Sequence, residues 1–298
     1  MLLMEQKLEK PQWLRIKLTT NDNFSQIKQT LNQFNLHTVC EEAHCPNISE
    51  CWNTGTATFM LMGDVCTRGC KFCAVKTGNP MKKLDPNEPR KLAEALAKIK
   101  LLDYVVLTSV TRDDLEDGGS SHFAQCVMEI KKSYPEMKIE ALIPDFRGNI
   151  ESLRKIVDAK PDVIAHNIET IDRLQSKVRD VRANYSQSLK VLENTKKMDP
   201  KIYTKSSIML GLGEEDEEII ESMKDLRKIN VDVLTLGQYL RPTDSHIQIK
   251  RFVDPAKFDF FKVKALELGF LYAASGPFVR SSYRAGEMFM KNVIKKQF

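Results

Sequence analysis

Six cysteines within 34 consecutive positions are the residues of this sequence best suited to chemistry. They form two triplets: Cys40, Cys45 and Cys51 as C-x4-C-x5-C, and Cys66, Cys70 and Cys73 as C-x3-C-x2-C. In a reducing compartment such density argues for metal rather than disulfides. Neither triplet has the paired C-x2-C form that closes four ligands around one structural zinc ion. Three closely spaced thiolates suit three corners of a cubane iron–sulfur cluster and leave its fourth iron for another ligand. Zinc, with His44 as a further ligand, is the alternative that spacing alone leaves open. The seventh cysteine, Cys126, shares a helical face with Phe123, Val127 and Ile130. It reads as a buried thiol without a ligand role.

Such loops need a scaffold. Of 298 residues, 42% are hydrophobic and 29% charged, a balance that supports a packed core and excludes a disordered or fibrous chain. The net charge of +5 is a mild basic bias that does not by itself point to nucleic acid. An acidic protein partner fits it equally well. No apolar run approaches the ~18 residues a membrane span needs. The segment Met1–Lys10 carries Glu5, Lys7, Glu9 and Lys10, which is neither the apolar core of a secretory signal nor the acid-free pattern of a transit peptide. The expectation is a cytoplasmic chain, or one already matured, with no membrane and no nucleic-acid partner.

Helical spacing of Phe24, Ile27, Leu31 and Phe34 after a Thr-Asn-Asp start predicts a first helix over 23–34. From about residue 57 short apolar runs alternate with amphipathic stretches. The runs are 58–62, 104–108, 139–143, 163–168, 207–212 and 233–236; the helical patterns are 89–102, 121–133, 150–159, 186–198 and 215–229. Alternation of this kind implies parallel strands with helices packed outside. A complete eight-fold barrel needs ~250 residues, so the six units predict an α/β fold, a partial (β/α)6 TIM-type barrel. Its boundaries are placed at 57–250, with an N-terminal extension 1–56 holding the first triplet and a C-terminal extension 251–298. Buried parallel strands should be nearly all apolar, yet Glu140, His166, Asn167 and Ser207 lie in these runs. Polar residues also follow the runs, among them Thr108, Ser109, Arg112, Asp113, Asp114, Asp145, Glu169, Glu214, Gln238 and Tyr239. In barrel enzymes that end of the strands is the active face. The second triplet begins four residues after Met62, on the same face.

C-x3-C-x2-C after the first strand of a six-unit barrel, with Phe72 before its last cysteine, resembles the radical S-adenosylmethionine enzymes. The segments TVCEEAHCPNISECW, ATFMLMGDVCTRGCKFCAVKTG, HNIET, TKSSIMLGLGE, GQYLRP and SGPFVRSSYRAGE narrow the likeness to the lipoyl synthase family, from about residue 11 to 287. The resemblance implies two [4Fe–4S] clusters and S-adenosylmethionine, two per lipoyl group, as co-substrate. Cys66, Cys70 and Cys73 would hold the cluster whose open iron takes the amino and carboxylate groups of S-adenosylmethionine. Electron transfer into the sulfonium then yields methionine and a 5′-deoxyadenosyl radical. Cys40, Cys45 and Cys51 would hold the second cluster, with Ser282 of RSSY as fourth ligand. An alkoxide corner is more labile than a thiolate corner, which suits a cluster dismantled to donate sulfur. The implied reaction inserts two sulfur atoms at C6 and C8 of an octanoyl chain on a carrier-protein lysine. The implied partners are the octanoylated carrier domains of 2-oxoacid dehydrogenases and the glycine cleavage H protein, a low-potential donor such as ferredoxin or flavodoxin, and iron–sulfur carrier proteins. At Arg284, where many members carry His, this sequence departs from the pattern, and no catalytic role is assigned there.

Each further residue has two readings. Phe72 packs against a cofactor or belongs to the core. Asn167 and Glu169 contact a ribose or amino-acid group, or bond to backbone. Arg179 grips the methionyl carboxylate bidentately, or is a solvated helix arginine. Gly211 lets backbone approach adenine, or makes a tight strand-to-helix turn. Arg280 sits beside the second cluster or pairs with an acid, and Tyr283 reads as core. Lys71, Lys76, Lys82 and Lys83 are solvated surface, or steer an acidic carrier toward the site. A tRNA methylthiolating enzyme would need an extra N-terminal domain and a C-terminal nucleic-acid barrel. About 40 residues before the first triplet and little after the barrel fit neither. A metal-binding regulator predicts a basic recognition helix, and the sequence has none.

Overall fold

The computed structural model describes residues 9–15, 22–43, 45–53, 56–81, 83–99 and 104–283. His44, Lys82 and Arg284 lie outside them, as do Glu5 and Lys7. The strands are β1 (His37–Thr38), β2 (Thr58–Leu61), β3 (Val65–Cys66), β4 (Lys76–Thr77), β5 (Tyr104–Ser109), β6 (Lys138–Leu142), β7 (Val163–Ala165), β8 (Tyr203–Leu210), β9 (Val233–Gln238) and β10 (Tyr272–Gly276). The helices are α1 (Asp22–Phe34), α2 (Val39–Glu42), α3 (Ile48–Asn53), α4 (Glu88–Lys98), α5 (Ser120–Ser133), α6 (Ile150–Asp158), α7 (Gln175–Val178), α8 (Tyr185–Met198), α9 (Asp216–Lys228) and α10 (Pro255–Glu267).

Eight strands form one sheet in the order β1-β2-β5-β6-β7-β8-β9-β10. Only the β1–β2 pairing is antiparallel; the rest are parallel. The expected six units are present, and the sheet is open, with β1 and β10 at its two edges. It also contains a seventh parallel strand, β10, which the apolar pattern did not reveal. Its sequence, Tyr-Ala-Ala-Ser-Gly, is too small and polar to read as a buried run, and it gains its place by in-register pairing with β9. Strand β8 starts at Tyr203, four residues before the apolar run, because polar residues at its start find buried partners.

Lys205 Nζ reaches both carboxylate oxygens of Glu140 at 2.8 Å, and Tyr104 donates its hydroxyl to Glu140 at 2.6 Å. Glu140 therefore does not belong to the polar strand ends. It is half of a buried ion pair in the N-terminal half of the sheet. The helices follow their caps: Asn149 accepts from Glu151 and Ser152 N–H at 2.9 and 3.0 Å to start α6. Asp254, with Pro255 at the first helical position, starts α10. Among the described residues two large apolar clusters and a small third one around Tyr104, Val106 and Val163 form the core. One large cluster lies between β2, β5 and β6 and helices α4 to α6, the other between β8, β9 and β10 and helices α9 and α10.

Candidate functional site

A single cavity of about 600 Å³ at the C-terminal ends of the strands is lined by all six clustered cysteines, together with Ser282. Phe72, Asn167, Glu169, Arg179, Arg280 and Tyr283 line it too, as do Thr108, Ser109, Asp145, His166, Ser207, Gln238 and Tyr239.

The second triplet sits on a loop fixed from many sides. The chain leaves β2 through Met62 and Gly63, both at positive φ, 67° and 90°. The Met62 N–H donates to both Glu88 oxygens at 3.1 Å, and His122 Nε2 meets Glu88 at 2.5 Å. Cys126 is fully buried beside this pair. Strands β3 and β4 close the loop. Arg68, between Cys66 and Cys70, is almost wholly buried. Its Nε and Nη2 bond Asp113 at 2.8 and 3.0 Å, and its Nη1 and Nη2 bond Asp145 at 2.7 and 2.8 Å. Asp180 accepts from Gly69 N–H at 2.8 Å and gives its own N–H to Cys70 Sγ at 3.3 Å. Cys66 Sγ accepts N–H bonds from Arg68 and Thr111, both at 3.4 Å. His246 Nε2 lies 3.0 Å from the Cys73 carbonyl.

The first triplet is built by α1, α2 and α3. Cys40 and Cys51 are buried on α2 and α3, and Cys45 N–H bonds the Cys40 carbonyl at 3.0 Å. Trp52, with no exposure, stacks on Phe24 of α1 with ring centroids 4.9 Å apart. The segment after β10 is tied to this unit: Asn47 Nδ2 bonds the Phe278 carbonyl at 2.5 Å, and Tyr283 donates its hydroxyl to Glu50 at 2.9 Å. Tyr283 is half-buried against the core, close to the core reading. A Cβ on Gly237 would meet the Val279 carbonyl oxygen at 1.9 Å, so only glycine lets this segment cross the end of β9. The crossing brings Ser282 to the cavity, where its buried Oγ has no partner among the described residues.

The thiols favour metal over free thiolate. Burial pushes Cys40 up to about 11 and Cys73 up to about 12, and raises Cys45 and Cys70. No cysteine is in a disulfide. A buried thiolate needs an opposing charge, which a bound cation supplies. Two thiol triplets and an orphaned hydroxyl form a donor set that fits two iron–sulfur centres, one with three sulfur ligands and an open corner, the other with an added oxygen ligand.

On the wall beside the second triplet, Glu169 has positive φ (65°) and accepts from Asn167 Nδ2 at 3.1 Å. Burial raises the Glu169 carboxyl, against the pull of Arg179 and Asn167. Asn167 Oδ1 is buried without a partner among the described residues. Arg179 is buried, bonding Gln175 at 3.1 Å and Ser188 at 2.8 Å; the solvated reading fails. Phe72 is half-buried, lining the cavity and packing on the core, so its two readings coincide. Gly211 is the exception: it is not among the lining residues. With φ of 101°, it leaves no room for a Cβ, which would meet Gln238 Nε2 at 2.2 Å. Its geometry is that of the tight strand-to-helix turn. Of the surface lysines, Lys71, Lys76 and Lys83 are exposed, and Lys76 pairs with Asp64 at 2.8 Å.

Sequence reasoning missed Arg68 and Asp180. An arginine between two of the clustered cysteines was the available signal, but its burial follows only from Asp113 and Asp145, which follow neighbouring strands.

The radical SAM superfamily matches residues 60–226, and the N-terminal domain of lipoyl synthase matches residues 2–45. The apicoplast lipoyl synthase of Plasmodium knowlesi is 54% identical over 97% of this chain and 65% of its own length. The chloroplastic enzyme of Arabidopsis thaliana is 54% identical over 98% of the chain and 75% of its own length. The mitochondrial enzyme of Culex quinquefasciatus is 53% identical, over 98% and 78%. The chain thus spans about two thirds to four fifths of these relatives. Among solved structures, the FeFe-hydrogenase maturase of Carboxydothermus hydrogenoformans aligns with a TM-score of 0.57 at 14% identity over 92% of this chain and 78% of that one. Methylornithine synthase aligns with a TM-score of 0.53 at 17% identity, over 72% and 62%. These likenesses show the fold: an α/β radical SAM fold with an open, mostly parallel sheet. The cytoplasmic expectation is corrected, because these relatives are apicoplast, chloroplastic and mitochondrial proteins. Charged residues near the first Met did not exclude organellar kinship. Among the described residues no helix is long and apolar enough to cross a membrane. With two thiol triplets and an orphaned serine around one cavity, and relatives above 50% identity over nearly its whole length, the chain belongs to the lipoyl synthase family of the radical S-adenosylmethionine superfamily.

Proposed function

We infer that the chain inserts two sulfur atoms, at C6 and C8, into an octanoyl group carried on a protein lysine. The observation that carries this reading is the pair of triplets with Ser282 on one cavity, with the serine oxygen buried and unpartnered. Cys66, Cys70 and Cys73 would hold one [4Fe–4S] cluster. Cys40, Cys45 and Cys51, with Ser282, would hold the other. When bound, the first supplies the electron that breaks a C–S bond of S-adenosylmethionine, and the second supplies sulfide.

The chain's own residues set the conditions. Glu169 and Arg179, of opposite charge on one wall, are suited to the ammonium and carboxylate of the methionyl group, and Asn167 Oδ1 offers a free acceptor. Phe72, Leu142, Ile143 and Met209 give the cavity apolar surface that suits an octanoyl chain and keeps water from a reactive centre. Arg68, through Asp113 and Asp145, holds the second-triplet loop in place. Residues 1–56, 57–250 and 251–298 would carry the auxiliary cysteines, the six-unit core and the RSSY segment, with β1 and β10 of the two flanking segments pairing onto the central sheet. The proposed substrates are octanoylated carrier domains of 2-oxoacid dehydrogenases and the glycine cleavage H protein. A ferredoxin or flavodoxin would supply electrons, and iron–sulfur carriers would reload the first triplet.

The deciding experiment pairs two variants in an octanoyl-peptide assay on reconstituted protein. Cys70→Ala should abolish 5′-deoxyadenosine formation. Cys45→Ala should retain it while losing lipoyl product. Lipoyl product from the Cys45 variant, or normal cofactor cleavage by the Cys70 variant, refutes the assignment.

A further inference from the structure

We propose that Arg280 is the fixed counter-charge of the centre held by Cys40, Cys45 and Cys51, setting its reduction potential and its hold on iron. This rests on the two-centre reading above. Arg280 lines the cavity beside Ser281 and Ser282. Its Nη1 donates to the Val279 carbonyl at 2.8 Å, and no carboxylate lies within ion-pair distance of it among the described residues. The chain on either side of it is tied to the first-triplet unit: the Phe278 carbonyl accepts from Asn47 Nδ2 at 2.5 Å, and Tyr283 donates its hydroxyl to Glu50 at 2.9 Å.

A half-buried guanidinium with five donors and no acid partner among the described residues is unusual, because charges withdrawn from water need partners. The first triplet is the partner at hand. A cubane core of charge about +2 with four anionic ligands carries roughly two negative charges, and burying them costs less beside a fixed cation. The cation is also well fixed. The Val279 carbonyl crosses β9 where Gly237 has no side chain, and a Cβ there would meet Arg280 Nη1 at 3.4 Å. Nearby positive charge favours the more reduced, more negative state of a cluster, so Arg280 should raise its potential.

The test uses the full chain in a Cys66→Ala/Cys70→Ala/Cys73→Ala parent, so that only the first triplet loads. Iron and sulfide content and the reduction potential, followed by optical and paramagnetic-resonance titration, are compared for the parent, Arg280→Met and Arg280→Lys. The expected result is a more negative potential and faster loss of iron to a chelator in the Met variant, with the Lys variant close to the parent. Uptake by the Lys variant alone, with both variants folded by circular dichroism, also supports a charge role. An unchanged potential in the Met variant overturns the proposal. So does a Lys variant shifted as far as Met, or failure of both variants to load. Failure of the parent itself to take up iron and sulfide sinks the two-centre reading, and the inference with it.

Discussion

Replacing Arg68 with Met should be among the costliest single changes in this protein. The guanidinium makes four hydrogen bonds of 2.7 to 3.0 Å to two carboxylates, and the Asp145 side chain has no exposure. Removing one partner of a buried pair costs about 3–5 kcal/mol, because the other charge is left uncompensated. Some compensation survives. Asp145 keeps Gln187 Nε2 at 2.7 Å and Arg147 N–H at 2.9 Å, and Asp113 keeps Arg182 at 3.3 Å. The loss should therefore fall near the lower end, about 3 kcal/mol, a drop in Tm of roughly 6 to 12 °C. The pH dependence is the sharper test. Burial alone would raise the Asp145 carboxyl, but Arg68 beside it holds it down at about 2. A carboxyl depressed in the folded state adds stability above its unfolded value near 4, and that stability is lost as pH falls toward 2. In Arg68→Met the stranded carboxylates take up protons at higher pH, so the deficit against the unmodified chain should narrow between pH 7 and about 4. Differential scanning calorimetry of the metal-free protein across that range reads both quantities without involving activity. Adding Asp113→Asn and Asp145→Asn to the variant should recover part of the loss. A deficit under about 1 kcal/mol, or one flat in pH, would refute the reasoning.

Three further outcomes are expected. Ser282→Ala removes a buried hydroxyl that has no partner among the described residues, so the metal-free protein should be unchanged or stabilised by up to about 1 kcal/mol. The iron-loaded protein should lose iron faster to a chelator; the same direction in both states would contradict a ligand role. Burial, helped by Arg179, pushes His166 down to about 4, and its ring bonds the Ile143 carbonyl at 2.8 Å and Ser188 at 3.0 Å. A histidine depressed in the folded state loses stability as pH falls from about 6.5 toward 4. Thermal unfolding of His166→Asn should show a shallower decline over that range. Gly237→Ala places a Cβ against the Val279 carbonyl and should displace the RSSY segment, lowering the Tm and halving iron uptake, as inductively coupled plasma analysis would measure; native iron content would count against the crossing.

Much of the scaffold was legible because it is local. A parallel strand buried on both faces is an apolar run, and an amphipathic helix repeats its apolar residues every three or four positions. Hence α5, α6, α8 and α9 lie within one or two residues of their expected bounds. Strand β8 begins four residues before its apolar run, because Lys205 has the character of a surface residue until Glu140 is opposite it. Strand β10 leaves no trace in the sequence, because Ala-Ala-Ser-Gly carries no pattern of its own. The site divided in the same way. Cysteine spacing exposed both triplets, and the polar residues after the strands foretold the face that Asn167, Glu169 and Asp145 occupy. Glu140 and Gly211 fit neither group: one is half of a buried ion pair, the other turns the chain after β8.

The sequence by itself determined the donor atoms, their grouping into threes and the helical and strand periods that build the barrel, since each is a property of residues a few positions apart. Only the tertiary structure decided what stands between and behind them. It joined Gly69 to Asp180 across 111 positions and Asn47 to Phe278 across 231. It buried Arg68 between two aspartates and left the Ser282 oxygen, on the cavity that both triplets line, without a partner among the described residues. Such meetings depend on which strand ends adjoin and on where a missing Cβ lets two segments cross, and no pattern along the chain records that.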